Sequence, residues 1–437
     1  MSLKTNTIAQ QLKSSEIDFE TLDRSYHPML GLVKELIGVV PNCDKLLEIW
    51  QPGFRTYNSI VPNFLNLPFS LWGFGCSKKL MGLAMYASSR AAECHYCSAH
   101  TCTFALRRGV SPTSLIDNKV PQEVAVIEVA KALSEIPCSL SKQQCQTLLR
   151  YLSPNDIEWI VLSIGMMGFL NKFMDAMGVE LEAETLSEVG IFLKSTVWKG
   201  DRDLQEDIDV SNVPIPPIDN FQTHLRVLKL LPSAISLEKA WTKGIPDRYP
   251  EAEAFLEQQT GYSFPLLGRL RHKRAIRALT TILRDNLDPA NSELGIRNKC
   301  LAGLIYASIV GNSRLAESAY SLLEHFSPEI TMVDLANVVE FAHQPLEENT
   351  LDLEQAYNKV ERAYTKLSLL PMFSEQTLAT LFLAKAASYS PATINPHILQ
   401  RIDRCLNPAS IVELMVWLSI QQLLHRLGCF YEVMDLI

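Results

Sequence analysis

A hydroxyl, a proline and an acid stand in order at Ser153, Pro154 and Asp156, directly before a long apolar run from Ile157 to Met177. This is a helix start: a capping side chain, a first-turn proline and a negative charge where the helix dipole is positive. Similar punctuation recurs along the chain. Leu80, Leu83, Ala84 and Ala87 share a face at helical spacing in a helix beginning near Ser77. That helix is expected to run up to or through Cys94 and Cys97. Gly109 followed by Ser111-Pro112 gives a stop and a restart. Further helices are expected over Glu123 to Leu133 and Ser139 to Tyr151. His27-Pro28 should open a helix through Ile37, and Pro52-Gly53 reads as a turn. Strand-like alternation is nearly absent. The expected class is all-α.

A chain of 437 residues is too long for one comfortable core and predicts two or three domains. Composition shifts over residues 199–219, where an acidic run leads into Val213-Pro214-Ile215-Pro216-Pro217. On either side the chain repeats itself. Tyr86-Ala87-Ser88 is echoed by Tyr306-Ala307-Ser308, and Ala130-Lys131-Ala132 by Ala384-Lys385-Ala386. Leu152-Ser153-Pro154 is echoed by Leu406-Asn407-Pro408, and each opens a long apolar helix holding a tryptophan. An internal duplication is expected. The boundaries it implies are 14–198 for the first copy, 199–219 for the linker and 220–437 for the second copy. After Tyr306-Ala307-Ser308 no Cys-x-x-Cys follows.

Net charge is −8, and no basic run carries interleaved aromatics, which argues against nucleic acid as a partner. No segment reads as both long and apolar enough for a bilayer, the nearest, Trp159 to Leu170, stopping at Asn171-Lys172. Met1 to Lys13 has no apolar signal core. Ten irregularly spaced cysteines suit a reducing, cytoplasmic setting better than a disulfide framework. The basic run from Arg269 to Arg277 reads as a solvated helix face. Cys138 and Cys145 read as packing residues, and Cys429 stands alone.

Chemistry concentrates at Cys94-His95-Tyr96-Cys97-Ser98-Ala99-His100. A close cysteine pair in a helical turn points to redox or metal chemistry. Two such thiols can close a disulfide and reopen with little backbone movement. On a continuous helix Glu93 and Cys97 share a face, as do Cys97 and His100. Zinc is the rival reading, through Cys94, Cys97, His100 and Cys102. Four ligands on one helix, however, diverge too widely for a tetrahedron. Inert burial of the two cysteines is the third reading.

The stretch from Cys94 to Thr101, with a helix before it and Arg107-Arg108-Gly109 after it, resembles the alkylhydroperoxidase D / carboxymuconolactone decarboxylase family. Pro62-Asn63-Phe64 and the helix from Leu152-Ser153-Pro154 to Asn171-Lys172 resemble that family's surroundings. The likeness covers about residues 25–180, with 220–437 as a degenerate copy. It implies two helical domains of this type in tandem and a homo-oligomer. It implies Cys97 as the peroxidatic thiol, Cys94 as the resolving one and His100 as the base, with His95 inside the pair. Two positions depart from the pattern. Thr101 occupies the family's histidine position, with His100 one residue earlier. Gly82 stands where the family has its relay glutamate, leaving Glu93, Glu123 or Glu158 as substitutes.

The expected function is therefore a thiol-dependent peroxidase or thiol-disulfide oxidoreductase. Its substrate would be a small hydroperoxide or disulfide, and its reductant an external dithiol protein. No flavin, haem or metal is implied, since the sulfurs carry the electrons. A small apolar pocket is expected around Phe64, Phe69 and Tyr86. A redox-responsive helical scaffold and an acid-base enzyme on a small lactone are the alternatives.

Overall fold

The computed structural model describes residues 7–194, 219–344 and 373–437. Among them there are helices and no strands, as the periodicity predicts. The helices of ten residues or more, in chain order, begin with α1 (Phe19–Ile37), α2 (Gln51–Phe64), α3 (Lys78–Ala91), α4 (His95–Arg107), α5 (Pro121–Ser134) and α6 (Lys142–Tyr151). Next come α7 (Pro154–Met177), α8 (Ala183–Lys194), α9 (Phe221–Trp241), α10 (Glu251–Thr260), α11 (Lys273–Leu287) and α12 (Ile296–Val310). The last are α13 (Ser313–Phe326), α14 (Met332–His343), α15 (Glu375–Ser388), α16 (Pro396–Cys405) and α17 (Pro408–Met434).

The two longest helices, α7 and α17, start alike. Ser153 and Asn407 are their N-caps, accepting from the backbone N–H of Asp156 and Ser410, and a proline follows each cap. These two helices pack against each other at the centre of the molecule. Gly165 and Gly168 of α7 make that approach possible. A Cβ on Gly165 would stand 2.8 Å from Leu427, and one on Gly168 would stand 2.9 Å from Arg426. α2 packs on α11 and α1 on α9, so helices from the two ends of the chain meet repeatedly. One hydrophobic cluster runs through both halves, from Ile8 to Phe430. Fully buried side chains such as Phe54, Phe64, Phe169 and Phe382 each contribute roughly 1.5–3 kcal/mol to it.

Several sequence expectations need correction. Helix α1 starts at Phe19, ahead of Pro28, and is kinked at Tyr26 (φ −131°, ψ 18°), because Pro28 has no N–H and crowds the preceding turn. Pro52-Gly53 is no turn: Pro52 lies in the first turn of α2, where its missing N–H costs nothing. Helix α7 runs on to Met177, as the apolar run predicts, past the Asn171-Lys172 end that the family likeness implied. That helix is long and apolar enough by composition to cross a bilayer, and 89% of its most apolar window is buried inside the protein. The basic run faces solvent only in part: Arg269, Arg271 and Lys273 are exposed, and Arg274 and Arg277 are not. Arg274 reaches Asn63 Oδ1 at 3.0 Å and the Leu67 carbonyl at 2.7 Å, and Arg277 lies 3.6 Å from Glu238. Of the expected linker, 199–218 lies outside the described residues; Asp219 forms a buried ion pair with Arg108 at 2.9 Å.

Candidate functional site

The cysteine pair does not lie on one continuous helix. α3 stops at Ala91 and α4 starts at His95. Glu93 takes a left-handed conformation (φ 53°) between them, and the chain reverses there. Cys94 is thereby the N-cap of α4. Its Sγ accepts the backbone N–H of Cys97 at 3.3 Å. A thiol at a helix N-terminus is a favoured place for negative charge. Both sulfurs are reduced and buried, Cys94 at 1% and Cys97 at 3% exposure. Cys97 is thus not the exposed thiol that the resemblance implied. Burial pushes its thiol well up, with Cys94, Cys43 and Asp175 adding to the effect.

Glu93 does not join the site. The broken helix removes the face it was expected to share with Cys97, and its side chain is exposed. His95 is half-buried on the first residue of α4. His100 is 8% exposed and turns its ring towards Tyr96, with the centroids 4.5 Å apart. Its Nε2 lies 2.8 Å from Glu182 Oε2. Glu182 also accepts the Tyr96 hydroxyl at 2.7 Å and the Asn42 backbone N–H at 2.5 Å. Burial raises the Glu182 carboxyl, but His100, Asn42 and Tyr96 together leave it below the ordinary glutamate value. An ionised Glu182 takes the proton-bearing nitrogen of His100. That leaves Nδ1, which is buried and has no hydrogen-bond partner, as the acceptor.

Glu182 was absent from the sequence-based candidates. It follows the Gly178 cap of α7 and directly precedes α8. No local pattern ties it to a histidine 82 residues earlier. The other acids are spent elsewhere. Glu123 accepts from Asn118, and Glu158 from the backbone N–H groups of Arg271 and His272. Gly82 has a steric reason. A Cβ there would stand 2.9 Å from the Ala105 Cα, where α3 and α4 touch. Thr101 is occupied as well, its hydroxyl donating to the Cys97 carbonyl at 2.6 Å.

A cavity of about 70 Å³ touches the reactive groups, with Cys97, His100, Thr101, Tyr57, Tyr96 and Met167 in its wall. A larger one of about 280 Å³ shares Val33, Leu36 and Val61 with it and touches neither sulfur. The expected pocket aromatics are not in the smaller cavity. Phe64 is core, Phe69 lines the larger cavity, and Tyr86 packs with Ala99, Cys102 and Leu106. Two buried cations lie within electrostatic reach of the sulfurs. Lys172 of α7 is pushed down to about 8 by burial, with Cys94 acting the other way. Arg426 of α17 is pushed down to about 10 by burial, with Cys97 and Cys94 opposing. The C-terminal half therefore contributes charge to a site carried by the N-terminal half. Among the described residues no group of three or more His, Cys, Asp or Glu side chains is arranged to hold a metal ion.

The chemistry this arrangement supports is thiol redox at a close, unbonded pair in an all-helical fold. No family model and no curated protein matches the chain. Two solved structures overlap part of it. One is the crystal structure of the debrominase Bmp8 without ligand, at 21% identity and a TM-score of 0.37, covering 40% of this chain and 96% of that one. The other is a cysteine-to-alanine variant of Bmp8 in complex with 2,3,4-tribromopyrrole, at 20% identity and a TM-score of 0.36, covering 40% and 95%.

Proposed function

We propose that this protein is a thiol-dependent oxidoreductase that reduces a small apolar hydroperoxide through Cys97 and Cys94. The observation that carries the reading is that Cys97 and His100 line one apolar cavity while Glu182 occupies His100 Nε2. His100 Nδ1 then serves as the base that Cys97 needs, since only a thiolate attacks and burial holds the thiol protonated. The thiolate attacks the distal peroxide oxygen. The O–O bond breaks, and the alkoxide leaves and takes a proton to become the alcohol. Cys97 is left as a sulfenic acid. Cys94 attacks that sulfur, the S–O bond breaks, and water leaves as the disulfide closes. An external dithiol protein returns both cysteines to thiols by exchange.

The same reading includes the likeness to the alkylhydroperoxidase D / carboxymuconolactone decarboxylase family and a tandem copy over 220–437. Three like-placed helix pairs, α7 with α17, α2 with α11 and α1 with α9, pack on each other, which supports a duplicated unit. So does the start of α13. Asn312 caps it as Cys94 caps α4, each accepting from the backbone N–H three residues on. On this reading the second copy retains the cap and has lost the thiol. Homo-oligomerisation and a cytoplasmic setting belong to the proposal too.

Peroxide consumption, with a dithiol as reductant, is the test. The wild type should turn over, and Cys97→Ser and Cys94→Ser should not. Turnover unchanged by Cys97→Ser would overturn the proposal.

A further inference from the structure

The cavity of about 280 Å³ takes no part in the proposed peroxide chemistry. Two helix faces enclose it. Met29, Leu32, Val33 and Leu36 stand at helical spacing on α1. Val227, Leu231, Ala234 and Ile235 stand so on α9. The two helices run antiparallel. Glu35 takes Arg226 at 2.7 Å, a Cβ on Gly31 would stand 2.9 Å from Leu230, and the rings of Tyr26 and Trp241 lie 6.3 Å apart. The cavity is therefore a slot along the helix pair. At the α-helical rise, Val227 to Glu238 spans about 16 Å. Phe69 at 48% and Ile235 at 38% exposure lie in its wall, so the slot opens to solvent beside them.

The two ends of the slot differ. Beside Val227 the wall is Val33 and Leu36, which the redox cavity shares. At the other end stand Glu238 and Lys239 of α9, met by Arg274 and Arg277 from the first turns of α11. Among the described residues in the wall, three cations thus face one carboxylate. Arg274 is held by neutral acceptors, Asn63 Oδ1 and the Leu67 carbonyl. Glu238 Oε1 accepts Asn63 Nδ2 at 2.9 Å and lies 3.6 Å from Arg277 Nη2. At 3.6 Å that contact is electrostatic and not a hydrogen bond, so Arg277 keeps donors for a ligand. The dipole of α11 adds positive potential at this end. Burial lowers Arg274, Glu238 opposes, and Arg277 lowers it further. A bound anion would relieve that repulsion.

We infer that the slot binds one unbranched aliphatic carboxylate, its head on Arg277 and Lys239 and its chain between α1 and α9. A mostly apolar wall with a few charged groups gathered at one end suits an anionic amphiphile. A cationic amphiphile would meet three like charges there, and a neutral one would leave the excess positive charge uncompensated. Binding uses neither Cys94 nor Cys97, so it is independent of the peroxide reading.

The test is calorimetric titration of the full chain with dodecanoate. The wild type and Cys97→Ser should each bind one molecule per chain, saturably and with equal affinity. Dodecylammonium, with the same chain and the opposite charge, should bind roughly tenfold more weakly or worse. Butanoate, too short to fill the slot, should give no measurable binding. Arg277→Gln/Lys239→Gln should weaken dodecanoate by roughly tenfold or more. Leu231→Trp fills the slot and should abolish binding. Ile235→Trp repeats that measurement at the solvent edge if Leu231→Trp loses its helical circular dichroism. Equal affinity for dodecanoate and dodecylammonium, or several molecules per chain without saturation, would overturn the inference. So would binding unchanged by the charge substitutions or by the tryptophan, and so would binding lost in Cys97→Ser.

Discussion

The Glu182 carboxylate stands 2.8 Å from His100 Nε2 and also holds the Tyr96 hydroxyl and the Asn42 backbone, three groups far from it in sequence. It thereby leaves Nδ1 as the nitrogen of His100 without a hydrogen-bond partner. Glu182→Gln retains the size and hydrogen-bonding capacity of the side chain but loses its charge. In the proposed reaction it should lower kcat by roughly tenfold or more, with little change in KM. It should also shift the acid limb of the pH–rate profile. A profile that superimposes on the wild type would show that Glu182 has no part in setting the base.

Gly82 lies where α3 touches α4. Gly82→Ala forces a methyl to within 2.9 Å of the Ala105 Cα, and backbone there cannot yield as a side-chain tip does. The expected cost is about 1–3 kcal/mol, read as a lower Tm or denaturation midpoint. Gly82→Glu should be worse. A glutamate variant as stable as the wild type would contradict the steric account of its absence.

Acid should destabilise the protein through His425. Its folded value of about 4 lies below the ordinary 6.5, so the unfolded chain binds the proton more readily. The stabilising effect is fully present above pH 6.5 and is lost as pH falls towards 4. Its size is roughly 3 kcal/mol at the low end of that window. Glu182 is likewise depressed, so its contribution is complete above the ordinary glutamate value and fades below it. Thermal melts at stepped pH should show the slope, and His425→Gln should flatten it between pH 6.5 and 4. A wild-type melting temperature that stays flat across that interval would refute it.

Lys299 and Glu413 form an ion pair at 2.6 Å with both side chains fully buried. Glu413 also accepts from Ser292 Oγ and the backbone N–H groups of Glu293 and Leu294. Lys299→Met strands that carboxylate without its cation and should cost about 3–5 kcal/mol in chemical denaturation. A loss below 1 kcal/mol would mean that the backbone donors alone satisfy Glu413.

Much of the local structure was legible along the chain. Ser153-Pro154 and Asn407-Pro408 announced their helices because capping and proline geometry act within one turn. Cys94 and Cys97 stood out because a close thiol pair has few structural uses. Glu93 misled because the sequence reads as one helix where a left-handed residue breaks it. Arg274 misled because a basic run looks solvated until another helix covers it.

The sequence by itself determined the all-helical class and the presence of the sulfur pair, since periodicity, caps and a two-residue spacing are short-range properties. The tertiary structure alone decided which groups surround those sulfurs. Glu182 reaches His100 from a later turn, and Arg426 of the last helix reaches Ser88 and the Ile164 carbonyl and lies within electrostatic range of the two sulfurs. The physical reason is the packing of α7 against α17, a burial of apolar surface that carries distant polar groups with it and is not specific about which ones.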